Sequence, residues 1–436
     1  MRDSINTVES LIDYAIELGH EVLAITEHDT IASSIRAEKY YNKVKEKNPN
    51  FKLIRGNEIY LVRNGLNKDN FNKDFDRYYH FILLARDEVG HKQIREISTR
   101  AWQRSWMARG QRRVPTYYQD LVDIIGQNPG HVIGCTACLG GTLPTQLIRN
   151  RDGGAPSIDI IKQWITQMQG IFGKENFYFE MQPSFNKDQI YVNHKLVELS
   201  DEMGIKYIIT NDAHYLKKAD RPIHKAFLNS QKGDREVDDF YATTYLMNTE
   251  EIEHYMLEEM GEEVLQAAYK TIDEIKEKCE DYSLLKPLKI PRLNWKEFDI
   301  KEAEKEYWKE RIPYVDKFLA SEYPEDRHLI YAIINRIRDD KELQDKKTLK
   351  EIGACLEDTW ISSEVNGSRW SAYFLNLQNI IDACWEAGTL VGAGRGSGVG
   401  FILLYLLGIT QINPLKEKTK TFRWRFLNPS RVSILD

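Results

Sequence analysis

The sequence is poor in cysteine, with five in 436 residues (Cys135, Cys138, Cys279, Cys355 and Cys384), so it carries no disulfide framework and suits a reducing compartment. It has no apolar run of the roughly 18 residues a membrane span needs. The longest, "FILLYLLGI", predicts a buried helix. The opening "MRDSINTVES" lacks the apolar core of a signal peptide, so the expected setting is cytoplasmic, with no membrane partner. A large positive excess is also missing: the net charge of -6 excludes a wholly basic nucleic-acid coat. Internal repeats and low-complexity tracts are absent.

The content that remains, 42% hydrophobic and 29% charged, is that of a globular protein, and 436 residues are too many for one core. Two basic tracts survive within the acidic total. Lys92 to Arg113 holds seven basic residues against one acid, with two tryptophans interleaved, and Lys416 to Arg431 holds six against one. The first fits either a solvated helix face or a nucleic-acid surface.

A repeated phrase of helix, glycine and buried strand organises the first half. "TVESLIDYAIEL" is amphipathic, with Asn6 as the expected cap and Glu9 three residues later; Gly19 closes it and "EVLAIT" follows as a strand. "YVNHKLVELSDEMGIKYIIT" repeats the phrase with Gly204. Further strands are predicted at "FKLIRGNEIYLV", "YHFILLAR" and "GHVIGCTA". Alternating helices and buried strands imply a parallel α/β domain, barrel-like or doubly wound. Two prolines in "LLKPLKIPRLNW" mark a boundary, dividing the chain into residues 1–285 and 286–436. The segment 296–380 reads as helical and charged, and "GTLVGAGRGSGVGFILLYLLGIT" reads as strand, glycine loop and buried helix.

Ligand-type residues follow the buried strands at once: "EHDT" after "EVLAIT", "NDAHYL" after "KYIIT". In parallel α/β folds strand ends converge on one face. His28, Glu58, His80, Cys138, Asp212 and His214 are therefore candidates for one cluster. Such a mixed N/O/S set holds zinc, manganese or iron and suits metal-assisted phosphoester hydrolysis. Taken singly, each is as well explained as a surface or turn residue, and the lone CxxC of Cys135 and Cys138 has no second pair.

The glycine loop "VGAGRGSGVGF" offers backbone N–H groups to an anion. It lacks the Gly-Lys-Ser/Thr of a Walker loop and the following acid of a dinucleotide fold. By itself it is equally a tight packing turn.

The phrases "LAITEHD", "GNEIYLV", "YHFILLAR", "ACLGG" and "IITNDAHYL" together resemble the polymerase and histidinol phosphatase (PHP) domain that opens bacterial and phage C-family replicative DNA polymerases, the DNA polymerase III alpha type. The resemblance implies a distorted βα-barrel with a multi-metal site, with Asp3, His28, Glu58, His80, Cys138, Asp212 and His214 at ligand positions. The family's opening His-x-His has no counterpart after Met1-Arg2, so the barrel is expected to lack its first strand and to bind metal weakly. "GAGRGSGVGFILLYLLGITQINPL" and "FRWRFLNPSRVSILD" resemble the same family's palm, a nucleotidyltransferase-type domain. That assigns Arg395, Gly396 and Ser397 to the incoming triphosphate and Asp436 to the first of two catalytic aspartates. "GSRWSAYFLNLQNIIDACWEAG" is similar to the helix preceding that loop.

The expectation is an α/β PHP-like barrel, a mostly helical segment and a partial palm: an N-terminal portion of a DNA-directed DNA polymerase, inactive alone. Its implied cofactors are Mg2+ at the palm and Zn2+ or Mn2+ at the barrel. Its implied partners are primer-template DNA, dNTPs, a C-terminal polymerase polypeptide, and the sliding clamp and other replisome proteins. The alternatives are a stand-alone phosphoesterase or 3'-5' exonuclease, and a barrel that serves only as a scaffold.

Overall fold

Helix α1 (Val8–Glu17) turns Ile12 and Ala15 inward, and its cap is Thr7 rather than the expected Asn6. The Thr7 hydroxyl accepts the Ser10 N–H at 3.1 Å while Ser10 Oγ accepts the Thr7 N–H at 3.0 Å. Asn6 is used elsewhere: its amide donates to the Ala213 carbonyl at 2.9 Å. The computed structural model describes residues 4–72, 76–108, 111–230, 240–287, 289–292, 300–418 and 421–431. The chain divides into two units, residues 1–286 and 287–436.

In the first unit α1 leads through Gly19 (φ +80°) into β1 (Val22–Ile25), followed by α2 (Ser34–Lys45) and β2 (Lys52–Val62). Then come β3 (Tyr79–Ala85), α3 (Glu88–Gln103), and the short strands β4 (Trp106–Ala108), β5 (Gln111–Arg113) and β6 (Pro115–Tyr117). After α4 (Tyr118–Leu121), β7 (Val132–Cys135), α5 (Thr142–Arg151) and α6 (Ile158–Phe172) lies β8 (Phe177–Met181), a strand that the sequence pattern did not reveal. Helix α7 (Lys187–Met203), β9 (Tyr207–Ile209), α8 (Arg221–Asn229), α9 (Thr249–Met260) and α10 (Glu262–Lys278) complete the unit.

The main sheet runs β1-β2-β3-β7-β8-β9, with β6 beside the far end of β2. It is a curled half-barrel, and it is mixed rather than parallel. β3 runs antiparallel to both β2 and β7, while the remaining pairs are parallel. One reversed strand brings its start, not its end, to the edge where its neighbours finish. That is how His80, second residue of β3, reaches the exits of β1, β7 and β9. The helix-facing side of the sheet is packed with Phe81, Phe172, Phe177 and Phe179, all fully buried.

The second unit is helical among its described residues, with α11 (Glu302–Lys309), α12 (Val315–Leu319), α13 (Pro324–Arg338), α14 (Lys346–Asn366), α15 (Trp370–Glu386) and α16 (Ile402–Leu406). Ile330, Ile334, Leu356, Phe374, Phe401 and Leu403 form its centre. A buried ion pair crosses it: Asp326 meets Arg369 at 2.6 Å and accepts from Ser321 and Ser371, each at 2.6 Å. The strand expected before the glycine loop does not form among the described residues. Residues 389–391 take no regular secondary structure: Thr389 N–H turns back to the Cys384 carbonyl at 2.9 Å, and Leu390 is 91% exposed with no neighbouring strand to pair with among the described residues. No described helix is long and apolar enough to cross a membrane.

Candidate metal centre and glycine loop

The exit of β1 runs on beside β2 as the loop Glu27-His28-Asp29-Thr30. Glu58 N–H donates to the Glu27 carbonyl at 3.0 Å and Asp29 N–H to the Glu58 carbonyl at 2.8 Å, so His28 and Glu58 lie side by side. The buried Asn57 amide holds the loop from beneath through the Glu27 and Thr30 carbonyls, at 2.8 and 2.9 Å. Across the antiparallel pair, Glu58 faces Ile82 and Tyr60 faces His80, which puts Glu58, Tyr60 and His80 on one face of the sheet. Glu58 is mid-strand rather than at a strand end, since β2 continues to Val62.

His80 Nδ1 lies 2.7 Å from Glu58 Oε1, and His28 Nδ1 lies 3.6 Å from Oε2. The two imidazoles are perpendicular with centroids 5.1 Å apart. Cys138 Sγ is 3.4 Å from His80 Nδ1. Gly140 allows this approach, because a Cβ there would stand 3.2 Å from the His80 ring. After β9, His214 Nδ1 sits 2.8 Å from the Asp212 carbonyl and 3.6 Å from its carboxylate, and Ile5 N–H donates to the His214 carbonyl at 3.0 Å.

Charges bind these residues into one group. Burial raises the Glu58 pKa, but His28 and then His80 outweigh it, so the carboxyl titrates below its usual range. Asp212 is raised, by burial first and then by Glu58, against the pull of His214. Burial, Asp212 and Glu58 keep the Cys138 thiol protonated far above its usual range. Asp29 is lifted by burial to about 7.

The reading from sequence missed Glu180, near the end of β8. It accepts from Thr210 Oγ1 at 2.5 Å and from Ala137 N–H at 3.2 Å, and burial, aided by Asp212 and Glu58, raises it to about 7. The overlooked signal was "FYFEM", an apolar run ending in an acid.

A crowd of buried acids that raise one another's pKa is relieved by a cation. One donor atom each from His28, Glu58 and His80 lies within 4.8 Å of the others, a spacing that fits shared coordination of one ion. The donor set therefore fits a metal, which His28, Glu58 and His80 would hold, with Cys138 in contact with His80 and with Asp212 and His214 close enough to be felt electrostatically. A metal there would supply Lewis-acid polarisation of a phosphoryl oxygen. Asp3 lies outside the described residues.

In the second unit Gly394 (φ +141°) and Gly396 (φ +74°) bend the glycine loop into a short 3-10 turn, Ser397–Gly400. Arg395, Gly396 and Ser397 are exposed, and Gln411 N–H closes the loop onto the Ala393 carbonyl at 2.8 Å. The turn packs on residues 421–426, with the Phe401 and Phe426 rings 5.2 Å apart. The basic tract beside it is partly committed: Arg423 pairs with Asp358 at 2.8 Å and Glu351 at 3.5 Å, and Lys416 pairs with Glu342. Arg425 remains exposed. Asp436 lies outside the described residues.

Comparison with known proteins gives both halves relatives. Residues 1–184 match the family model of the PHP domain, and residues 340–436 match that of the bacterial DNA polymerase III alpha NTPase domain. The DNA-directed DNA polymerase of Bacillus phage SPbeta is 33% identical over 456 residues, covering 100% of this chain and 35% of that protein. The DNA polymerase III subunit alpha of Borreliella burgdorferi is 29% identical over 443 residues, covering 100% of this chain and 33% of its own length. The chain thus spans about a third of the length of the curated relatives it matches. A solved amidohydrolase from Chromobacterium violaceum aligns at 14% identity and a TM-score of 0.30 over 49% of this chain and 84% of its own, too loosely to carry weight.

Proposed function

We propose, from its match along its whole length to phage and bacterial polymerases of the DNA polymerase III alpha type, that the chain works as part of a replicative DNA-directed DNA polymerase. One observation carries the reading: the PHP domain and the polymerase III alpha domain occur in this order in one chain that aligns throughout with polymerases. In this proposal Arg395, Gly396 and Ser397 bind the triphosphate of an incoming dNTP through exposed N–H groups and a guanidinium. Asp436 belongs to the carboxylates that position Mg2+ for phosphoryl transfer. Because the relatives are about three times longer, activity is proposed for this chain together with the polypeptide corresponding to their other two thirds. The test is primer extension by the two combined. Elongation that falls at least tenfold with Arg395→Ala or Ser397→Ala, through a raised KM for dNTP, supports the proposal. A pair that never associates, at any concentration, overturns it.

A second reading concerns the barrel, favoured by the mutual reach of His28, Glu58 and His80. It gives that centre a metal-dependent phosphoesterase or 3'-5' exonuclease activity with Zn2+ or Mn2+. Metal analysis and release of a 3'-terminal nucleotide test it, with His80→Ala expected to abolish both binding and turnover. The sliding clamp and other replisome proteins belong with the polymerase reading as partners.

A further inference from the structure

The basic tract from Lys92 to Arg113 is sorted by the fold into two classes. Arg100 and Arg104 are neutralised: Arg100 meets Glu96 at 2.7 Å and Asp123 at 3.6 Å, and Arg104 grips Asp120 with both guanidinium nitrogens while lying over the Tyr117 ring. Lys92, Arg95, Arg112 and Arg113 meet no acid at ion-pair distance among the described residues. On α3, Lys92, Arg95, Thr99 and Trp102 recur every three or four residues and are all exposed, forming a stripe about 15 Å long.

The two-stranded ribbon β4–β5 extends that stripe. Met107 pairs with Arg112, so both project from one face, and the Arg112 guanidinium lies 5.9 Å from the Trp102 ring. Trp102 is 44% exposed and Met107 53%. On the other face Trp106 and Arg113 close on Tyr78, at 6.4 and 5.1 Å, and fasten the ribbon to the barrel.

Two connections join this surface to the metal donors. The Trp102 indole N–H donates to the Asp29 carbonyl at 2.7 Å, one residue from His28. Tyr78 meets Tyr60 at 6.0 Å, and Tyr60 stacks on His28 at 5.4 Å. An exposed indole among uncompensated cations is the pairing that single-stranded nucleic acid uses, bases on the aromatic face and phosphates on the guanidinium groups. Bases in a duplex are stacked on one another and offer no such face.

We propose that the stripe Lys92, Arg95, Trp102, Met107 and Arg112 is a landing surface for single-stranded DNA that leads the strand to the His28, Glu58 and His80 group. The destination rests on the phosphoesterase reading above; the binding does not. Fluorescence anisotropy of a labelled oligo-dT with the full chain tests it, in EDTA and in Mn2+, across a salt series and against a duplex of equal length. The single strand should bind more tightly than the duplex. Trp102→Ala should weaken binding about tenfold, the loss of one stacked base, and Trp102→Phe should restore most of it although Phe cannot bond Asp29. Replacing Arg95 and Arg112 together by Ala should lower the slope of log affinity against log salt by about 1.4, two phosphate contacts at about 0.7 each. Equal affinity for duplex, tighter binding of single-stranded RNA, or loss confined to the arginine variants would overturn the proposal. Binding retained without any hydrolysis would overturn the phosphoesterase reading alone and leave the landing surface standing.

Discussion

Glu180→Gln should stabilise the metal-free first unit, by an amount that depends on pH in a calculable way. The carboxyl is buried at 5% exposure, and its pKa rises from 4.5 to about 7 because burial, Asp212 and Glu58 all oppose its charge. A carboxyl raised in the folded state binds more protons folded than unfolded between those values, so stability is lost as pH climbs from 4.5 to about 7 and stays lost above it. The shift of about 2.5 units, at 1.36 kcal/mol each, makes that loss about 3 kcal/mol at pH 8 and close to zero at pH 4. Glutamine is uncharged; with its oxygen in the place of Oε2 it still accepts from Ala137 N–H, and its NH2, in the place of Oε1, donates to a turned Thr210 hydroxyl, so Glu180→Gln should escape the loss. Glu180→Ala also escapes it but strands two buried donors, at about 1–3 kcal/mol each, and should fall well below Gln at every pH. Urea unfolding in EDTA at pH 4.5 and pH 8 measures both. A Gln variant whose gain over wild type is the same at the two pH values refutes the reasoning. The same substitution removes a negative charge near the donors, so affinity for Mn2+ or Zn2+ should fall, by about 10–100-fold for a supporting residue of this kind.

His91, 3% exposed on α3, has its pKa lowered from 6.5 to about 4 by burial, then Arg95 and Arg55, against the weaker pull of Glu38 and Glu88. The unfolded state then binds more protons in that window, so stability present above pH 6.5 is lost as pH falls toward 4, by about 3 kcal/mol, and His91→Gln should flatten that slope in urea titrations; unchanged slopes would refute it. Glu38 is buried on α2, accepts from Ser283 Oγ at 2.5 Å and Leu284 N–H at 2.9 Å, and faces buried Arg55 at 3.3 Å. Glu38→Ala leaves Arg55 without its acid and should cost about 3–5 kcal/mol, with protease cleavage appearing near Ser283; an unaltered melting temperature would refute that cost.

What was legible in the sequence were the elements whose pattern is local. "VLAI", "HFILLA", "VIGC" and "YII" are short apolar runs next to turn residues, and each became a strand. Strand direction is not local: β3 looks like its neighbours and runs against them, because direction follows from what a strand pairs with. Thr7 and Asn6 are both cap-type residues, and a bond to Ala213, 207 positions away, decides between them. "TLV" before the glycine loop has strand composition, but a strand needs an adjacent strand, and residues 389–391 have none among those described. In the basic tracts, Arg112 and Arg104 are indistinguishable until the fold puts Asp120 beside one of them. Of the candidate ligands, His28, Glu58, His80, Cys138, Asp212 and His214 converge on one edge. Glu180, set back behind that edge, could be found only by assigning β8.

The backbone at that edge bears on whether the barrel is merely a scaffold. Among the described residues four non-glycine residues have positive φ, and three of them are Asp29 (+57°), Ala137 (+61°) and Asp212 (+47°). These stand at the exits of β1, β7 and β9. Asp29 adjoins His28, Ala137 adjoins Cys138, and Asp212 is itself a candidate ligand. A left-handed residue with a side chain costs about 1–2 kcal/mol, so the three together cost about 3–6 kcal/mol, comparable to the net stability of a small domain. Each is held in place by the site's own bonds: Asp29 N–H to Glu58, Ala137 N–H to Glu180, and the Asp212 carbonyl to His214. A purely structural barrel gains nothing from straining three exits toward one point, since glycine or a relaxed turn would close each loop at lower cost. Strain that coincides with converging donors therefore supports the proposed ion site over the scaffold, since the donors of such a site would be aimed before the ion arrives.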